Sequence, residues 1–122
     1  MGRLKDMLKV GGENVAAAEI EAYLVTHPAV EIVQVVGAPD ARYLEVAAAF
    51  VQLCAGASVT EQELIEHCRG KIASFKIPRY LRLVEEWPMS GTKIQKFRLR
   101  EQITTELEQA GITEAPRITS QR

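Results

Sequence analysis

Residues 45–53 read EVAAAFVQL, and positions 46 to 51 within that stretch carry no polar side chain. A strand that is apolar without alternation is covered on both faces, which puts it in the middle of a sheet with structure packed above and below. Just before it, residues 30–36 (VEIVQVV) form a β-branched, largely apolar stretch, which the turn chemistry of Gly37, Ala38, Pro39 and Asp40 closes. After it, Thr60 and Glu63 are spaced as a capping box, with Val59 and Leu64 placed as a hydrophobic staple. The helix they start has Leu64, Ile65, Cys68 and Ile72 on its buried side. Pro78 separates it from a third strand at 79–84, where Tyr80, Arg82 and Val84 alternate with Leu81 and Leu83.

Working outward, Met7, Leu8 and Val10 suit a short strand that breaks at Gly11-Gly12, a pair fit for a tight turn or a close backbone approach. From position 16 the period changes. Ala17, Ile20, Tyr23 and Leu24 fall on one helical face, Glu19 and Glu21 favour the helix start, and Pro28 ends it. Toward the other end, 88–93 reads as a loop, and 96–109 as a helix with Leu99, Ile103 and Leu107 at helical spacing. The expected fold is α+β: a small three-stranded sheet flanked by helices, with a short N-terminal hairpin. Residues 1–110 read as one domain, and 111–122, without periodicity, as a flexible tail.

Composition narrows the function. Of 122 residues, 47% are hydrophobic and 25% charged, enough for a folded core and against wholesale disorder. A net charge of −1 gives no field that argues for nucleic acid or a membrane surface. The longest apolar run is far too short for a membrane span. With no basic-then-apolar leader and two cysteines only, a reducing cytoplasmic setting is expected. Gly70-Lys71 lacks the rest of a phosphate-binding loop, and no GxSxG elbow occurs. His27, Cys54, His67 and Cys68 do not have zinc spacing, so no metal site is expected. Both cysteines read as ordinary packed side chains, and His27 as a helix C-terminal residue.

Two segments remain. GRLKDMLKVGGENVAAAEIEAYL begins at Gly2, and PMSGTKIQKFRLRE begins at Pro88. The first resembles the opening of the small C-terminal domain of the adenylate-forming family, which includes acyl-CoA synthetases, peptide-synthetase adenylation domains and firefly-type luciferases. The second resembles the loop of that domain that carries the catalytic lysine. Between them, VVGAPDARYLEVAAAFV is similar to the family's Gly-x-Pro-Asp and Ala-Phe-Val strand pair, and IASFKIPRYLRLVEEWP to its Lys-x-Pro connector. Four pieces in order, from Gly2 to about Glu101, make the resemblance specific.

The resemblance implies a lid on a larger N-terminal adenylation domain. The lid closes once to form an acyl-adenylate from a carboxylate and ATP, releasing pyrophosphate. It then swings so that CoA can take the acyl group. By position, Lys93 matches the adenylation lysine and Lys5 the hinge, with residues 1–5 as the hinge end. Arg3 and Asn14, together with Lys93, fall where relatives contact ATP, and Gly11 with Gly12 where CoA passes. ATP and CoA would be substrates, and Mg2+ would be bound by the N-terminal domain. Alone, the chain should be inactive. The departures are Thr92 where the family has Gly, a loop one residue shorter than usual, Leu44 where relatives carry Gly, and Ala16 in place of a capping Ser or Thr. A slipped register would make Lys96 the candidate lysine. Other readings are a lid that delivers to a carrier-protein phosphopantetheine, and a free-standing module binding RNA through Lys93, Lys96, Arg98 and Arg100. In that stretch Phe97 is the only aromatic available for stacking. Acylation of Lys93 would remove its charge.

Overall fold

The computed structural model describes residues 7–41, 43–73 and 76–112. The strand β4 (Leu44–Leu53) is buried from Val46 to Val51, and its side chains divide by parity. Ala47, Ala49 and Val51 face one hydrophobic cluster, while Val46, Ala48 and Phe50 face another. This is the two-residue period of a pleated strand with both faces covered. On the first face lie α1 (Ala17–Leu24), contributing Ile20 and Leu24, and α2 (Glu61–Cys68), contributing Leu64 and Cys68. On the second lies α3 (Lys96–Ala110), which buries Leu99, Ile103 and Leu107. The result is an α+β arrangement with a sheet between two helical layers.

Strand β3 (Val30–Asp40) runs antiparallel to β4 through to Asp40, opposite Leu44. The turn therefore does not fall at Gly37–Asp40, as the sequence suggests. β3 is the outer strand of its side of the sheet, so the N–H that Pro39 lacks is not required by a second neighbour. The chain turns just beyond, where the Tyr43 N–H donates to Asp40 Oδ2 at 2.8 Å. Strand β5 (Tyr80–Leu83) lies parallel to the C-terminal half of β4. It is shorter than the expected 79–84, although Arg79 and Val84 still donate to the Ala47 and Val51 carbonyls at its two ends.

The N-terminal hairpin, β1 (Met7–Val10) and β2 (Glu13–Ala16), is not separate from this sheet. Val10 pairs with Leu44, which makes a five-stranded sheet in the order β2-β1-β4-β3, with β5 beside β4. Gly11 and Gly12 form its two-residue turn at φ of 58° and 91°, the left-handed pair that a tight hairpin of this hand needs.

The helix ends follow the local chemistry. Ala16 precedes α1 without any side-chain cap. At α2, Thr60 Oγ1 accepts from the Glu63 N–H at 3.0 Å, and the Thr60 N–H donates to Glu63 Oε1 at 2.7 Å. Thr60→Ala leaves one donor of the first turn without its partner, and is expected to lower stability by about 1 kcal/mol. Urea unfolding that shows no change would mean that the cap is dispensable.

Leu44 is the one non-glycine residue with positive φ among the described residues, at 76°. Its side chain is 67% exposed, so it gains little burial in return for the strain. Leu44→Gly is expected to stabilise the domain by about 1 kcal/mol, because the left-handed penalty on an L-residue exceeds the entropy cost of glycine. A lowered urea midpoint would reverse that balance.

Candidate functional site

The segment that carries Lys93 is a hairpin rather than a plain loop. Strands β6 (Met89–Ser90) and β7 (Lys93–Ile94) pair Met89 with Ile94 and Ser90 with Lys93. The Gln95 N–H closes the base on the Pro88 carbonyl at 2.8 Å. On the incoming side, Trp87 Nε1 donates to Gln52 Oε1 on β4 at 2.5 Å, and on the outgoing side Arg98 Nε donates to Gln95 Oε1 at 3.0 Å. Both ends are thus anchored, while Gly91, Thr92 and Lys93 stand exposed at the tip.

Lys96, the alternative that a slipped register would select, is in a different position. Its Nζ lies 2.7 Å from Glu21 Oε2, and both side chains are mostly buried. The same Glu21 oxygen accepts the Val35 N–H at 2.9 Å. One helical turn further on, Arg100 repeats the arrangement. Its Nη1 lies 2.8 Å from Glu45 Oε2 and donates to the Gly37 carbonyl at 2.8 Å, while Glu45 Oε1 accepts the Lys9 N–H at 2.9 Å. Two carboxylates, Glu21 on α1 and Glu45 on β4, therefore each hold a backbone N–H and a cation of α3. Sequence reasoning missed these pairings: it took Glu21 only as a charge near a helix start and Arg100 only as part of a basic run. The available signal was two cations four residues apart at the head of α3, with an acid opening the apolar strand β4.

The glycine turn follows β1 directly, two residues beyond Lys9. The Gly11 N–H donates to the Tyr43 carbonyl at 2.8 Å, and a Cβ on Gly11 would come within 3.2 Å of the Tyr43 ring. A Cβ on Gly12 would meet nothing within 4 Å. Asn14 is exposed on β2, and its Oδ1 accepts from Lys9 Nζ at 3.3 Å across the hairpin. Arg3 and Lys5 lie outside the described residues. Gly11, Gly12 and Asn14 thus share one hairpin, and Lys93 sits on another. Between β1, β3 and α3 a cleft of about 330 Å3 opens, with Met7, Leu8 and Phe97 on its apolar walls and Lys96 and Arg100 beside them.

The remaining candidates carry no such arrangement. Burial pushes the Cys68 thiol up to about 11, so it stays protonated at neutral pH. Cys54 Sγ lies 3.7 Å from the Pro28 carbonyl. His27 Nδ1 accepts the Ala29 N–H at 3.1 Å, and its ring meets that of His67 edge-on. Burial lowers the His67 pKa, with the charges of His27 and Lys71 adding to the effect. Among the described residues no group of three or more His, Cys, Asp or Glu side chains could hold a metal. None of their helices is long and apolar enough to cross a membrane. Of the basic run proposed for RNA, Lys96 and Arg100 are paired with acids, and Arg98 lies over the Phe97 ring at 5.5 Å. That leaves little free charge for a phosphate backbone.

Comparison with known proteins agrees with this geometry. The profile of the AMP-binding enzyme C-terminal domain matches residues 19–93. The chain is 55% identical over 101 residues to Bacillus subtilis YngI, a protein named as a candidate acyl-CoA synthetase; the match covers 82% of the chain and 18% of YngI. It is 46% identical over 108 residues to the human medium-chain acyl-CoA ligase ACSF2, mitochondrial, covering 88% of the chain and 18% of that protein. Among solved structures, the Mycobacterium tuberculosis fatty acyl CoA synthetase superposes with a TM-score of 0.77 at 42% identity, over 85% of this chain and 21% of that one. The chain spans about one-fifth of the length of the relatives it matches. With a profile match over more than half its length and a sheet, helices and hairpins that superpose on a solved synthetase, the chain belongs to the AMP-binding enzyme C-terminal domain family.

Proposed function

We propose that this chain is the mobile C-terminal lid of an ATP-dependent, AMP-forming acyl-CoA synthetase, inactive without its N-terminal adenylation domain. The observation that carries this reading is the placement of the two signature elements. Lys93 and the Gly11-Gly12 turn each occupy the exposed tip of a separate hairpin on one body, as a part serving two successive half-reactions requires.

In the first half-reaction a carboxylate oxygen attacks the α-phosphorus of ATP and pyrophosphate leaves. The Lys93 ammonium, on a flexible stem among small residues, approaches the oxygens on which negative charge grows. Arg3 and Asn14 contact the nucleotide, and Mg2+, held by the N-terminal domain, would offset phosphate charge. In the second half-reaction the lid turns about a hinge at Lys5 within residues 1–5. The glycine hairpin then lines the approach of CoA, whose sulfur attacks the acyl carbonyl and displaces AMP. Residues 1–110 make up the lid and 111–122 follow it. Free CoA is favoured over a carrier protein as acceptor, since the relatives described above are acyl-CoA synthetases and ligases by name. Two free thiols suit a reducing compartment, and cytoplasm is the one we propose.

The test is made on the full enzyme with Lys93→Ala. Carboxylate-dependent ATP–pyrophosphate exchange is followed separately from thioester formation starting from supplied acyl-adenylate and CoA. Lost exchange with retained thioester formation supports the reading, and unchanged exchange refutes it.

A further inference from the structure

From the clasp around Gly37 we infer that Glu45 and Arg100 are positioning residues that lock the glycine hairpin and the lysine-bearing end of α3 into one rigid body. This rests on the lid reading above. The backbone ladder between β1 and β4 contains one residue pair, Val10 with Leu44, followed by the Gly11 N–H on the Tyr43 carbonyl, so the rest of the hairpin's hold comes from buried Leu8, Val10 and Val15 and from side-chain contacts. Glu45 follows Leu44, and its Oε1 takes up the next N–H of β1, that of Lys9, at 2.9 Å. Its Oε2 reaches Arg100, which also holds the Gly37 carbonyl of β3. One ion pair thereby joins β1, β3, β4 and α3.

Gly37 is the residue that makes room for it. A Cβ at this position would stand 2.8 Å from both Arg100 Nη1 and Glu45 Oε2, closer than such atoms approach. At Gly37 the need is for space and not for unusual backbone, since it carries no positive φ. The clasp also sits on the helix that begins three residues after Lys93. A rotation of α3 on the sheet would carry the lysine hairpin with it, and misplacement of a catalytic group by about 1 Å can cost on the order of 10²-fold in rate.

The experiment uses the full parent enzyme with Glu45→Ala, Glu45→Gln and Lys93→Ala, with rates expressed per folded enzyme. Glu45→Ala is expected to lower kcat about tenfold in both half-reactions, exchange and thioester formation, with the KM values for ATP and CoA unchanged. Glu45→Gln, which keeps an acceptor for the Lys9 N–H, is expected to recover part of both rates. A purely structural role predicts a lower Tm with both rates intact, and that result overturns the inference. So does a fall confined to one half-reaction, because the clasp holds both hairpins. If Lys93→Ala leaves exchange untouched, the lid reading itself has failed. If Lys93→Ala abolishes exchange while Glu45→Ala changes neither rate, the clasp alone has failed.

Discussion

Replacing Lys93 by alanine in the full enzyme is expected to slow ATP–pyrophosphate exchange by about 10²–10³-fold, the usual cost of removing one donor from a site of developing negative charge. Thioester formation from supplied acyl-adenylate should stay within a few-fold of the unaltered enzyme. The expectation comes from the local geometry. The hairpin is pinned at its base by Gln95 on Pro88 and by Trp87 on Gln52, and Lys93 makes none of the ion pairs found among the described residues. Its removal therefore takes away a charge without leaving a buried acid unpaired, so a large fall in exchange would report chemistry and not misfolding. Lys93→Arg is expected to restore only part of the rate, since a planar fork does not reproduce a compact ammonium. Loss of both half-reactions to the same degree would contradict the division of labour between the two hairpins.

The opposite profile is expected for Gly12→Leu: exchange close to normal, and thioester formation reduced on the order of 10²-fold. At Gly12 a Cβ would point into open space, so the added side chain obstructs what approaches the hairpin from outside more than it disturbs the domain. Its φ of 91° adds a local strain of about 1–2 kcal/mol, confined to the turn. Gly11 is the poorer probe, because a side chain there would first press on Tyr43, whose ring lies beneath the Arg79 guanidinium. Equal losses in both half-reactions would mean that the hairpin does not serve the acceptor step separately.

How far the sequence could be read depended on how local each signal is. The parity of β4, the Thr60–Glu63 box and the Leu99, Ile103, Leu107 face were legible because a period or a cap is written within a few residues. The pairing of Met89 with Ile94 was not, since two-residue strands are too short to show a period. Pro39 and Asp40 misled because turn formers also suit the end of an outer strand. The Glu45–Arg100 pair was out of reach. Its members stand 55 residues apart, and each alone reads as a solvated charge. Leu44 was visible only as a departure from the family pattern that the sequence resembles, and its φ of 76° lies in the region that favours glycine.

The division of β4 between two clusters has a further consequence. Phe50, Ile20 and Ile103 are each fully enclosed by neighbours from within this chain, one face of the strand serving one helical layer and the other face the second. Among the described residues, the interior is therefore filled by the domain's own side chains. A part so finished is self-supporting: like a handle made in one piece, it needs nothing from the body it is joined to in order to fill its own interior.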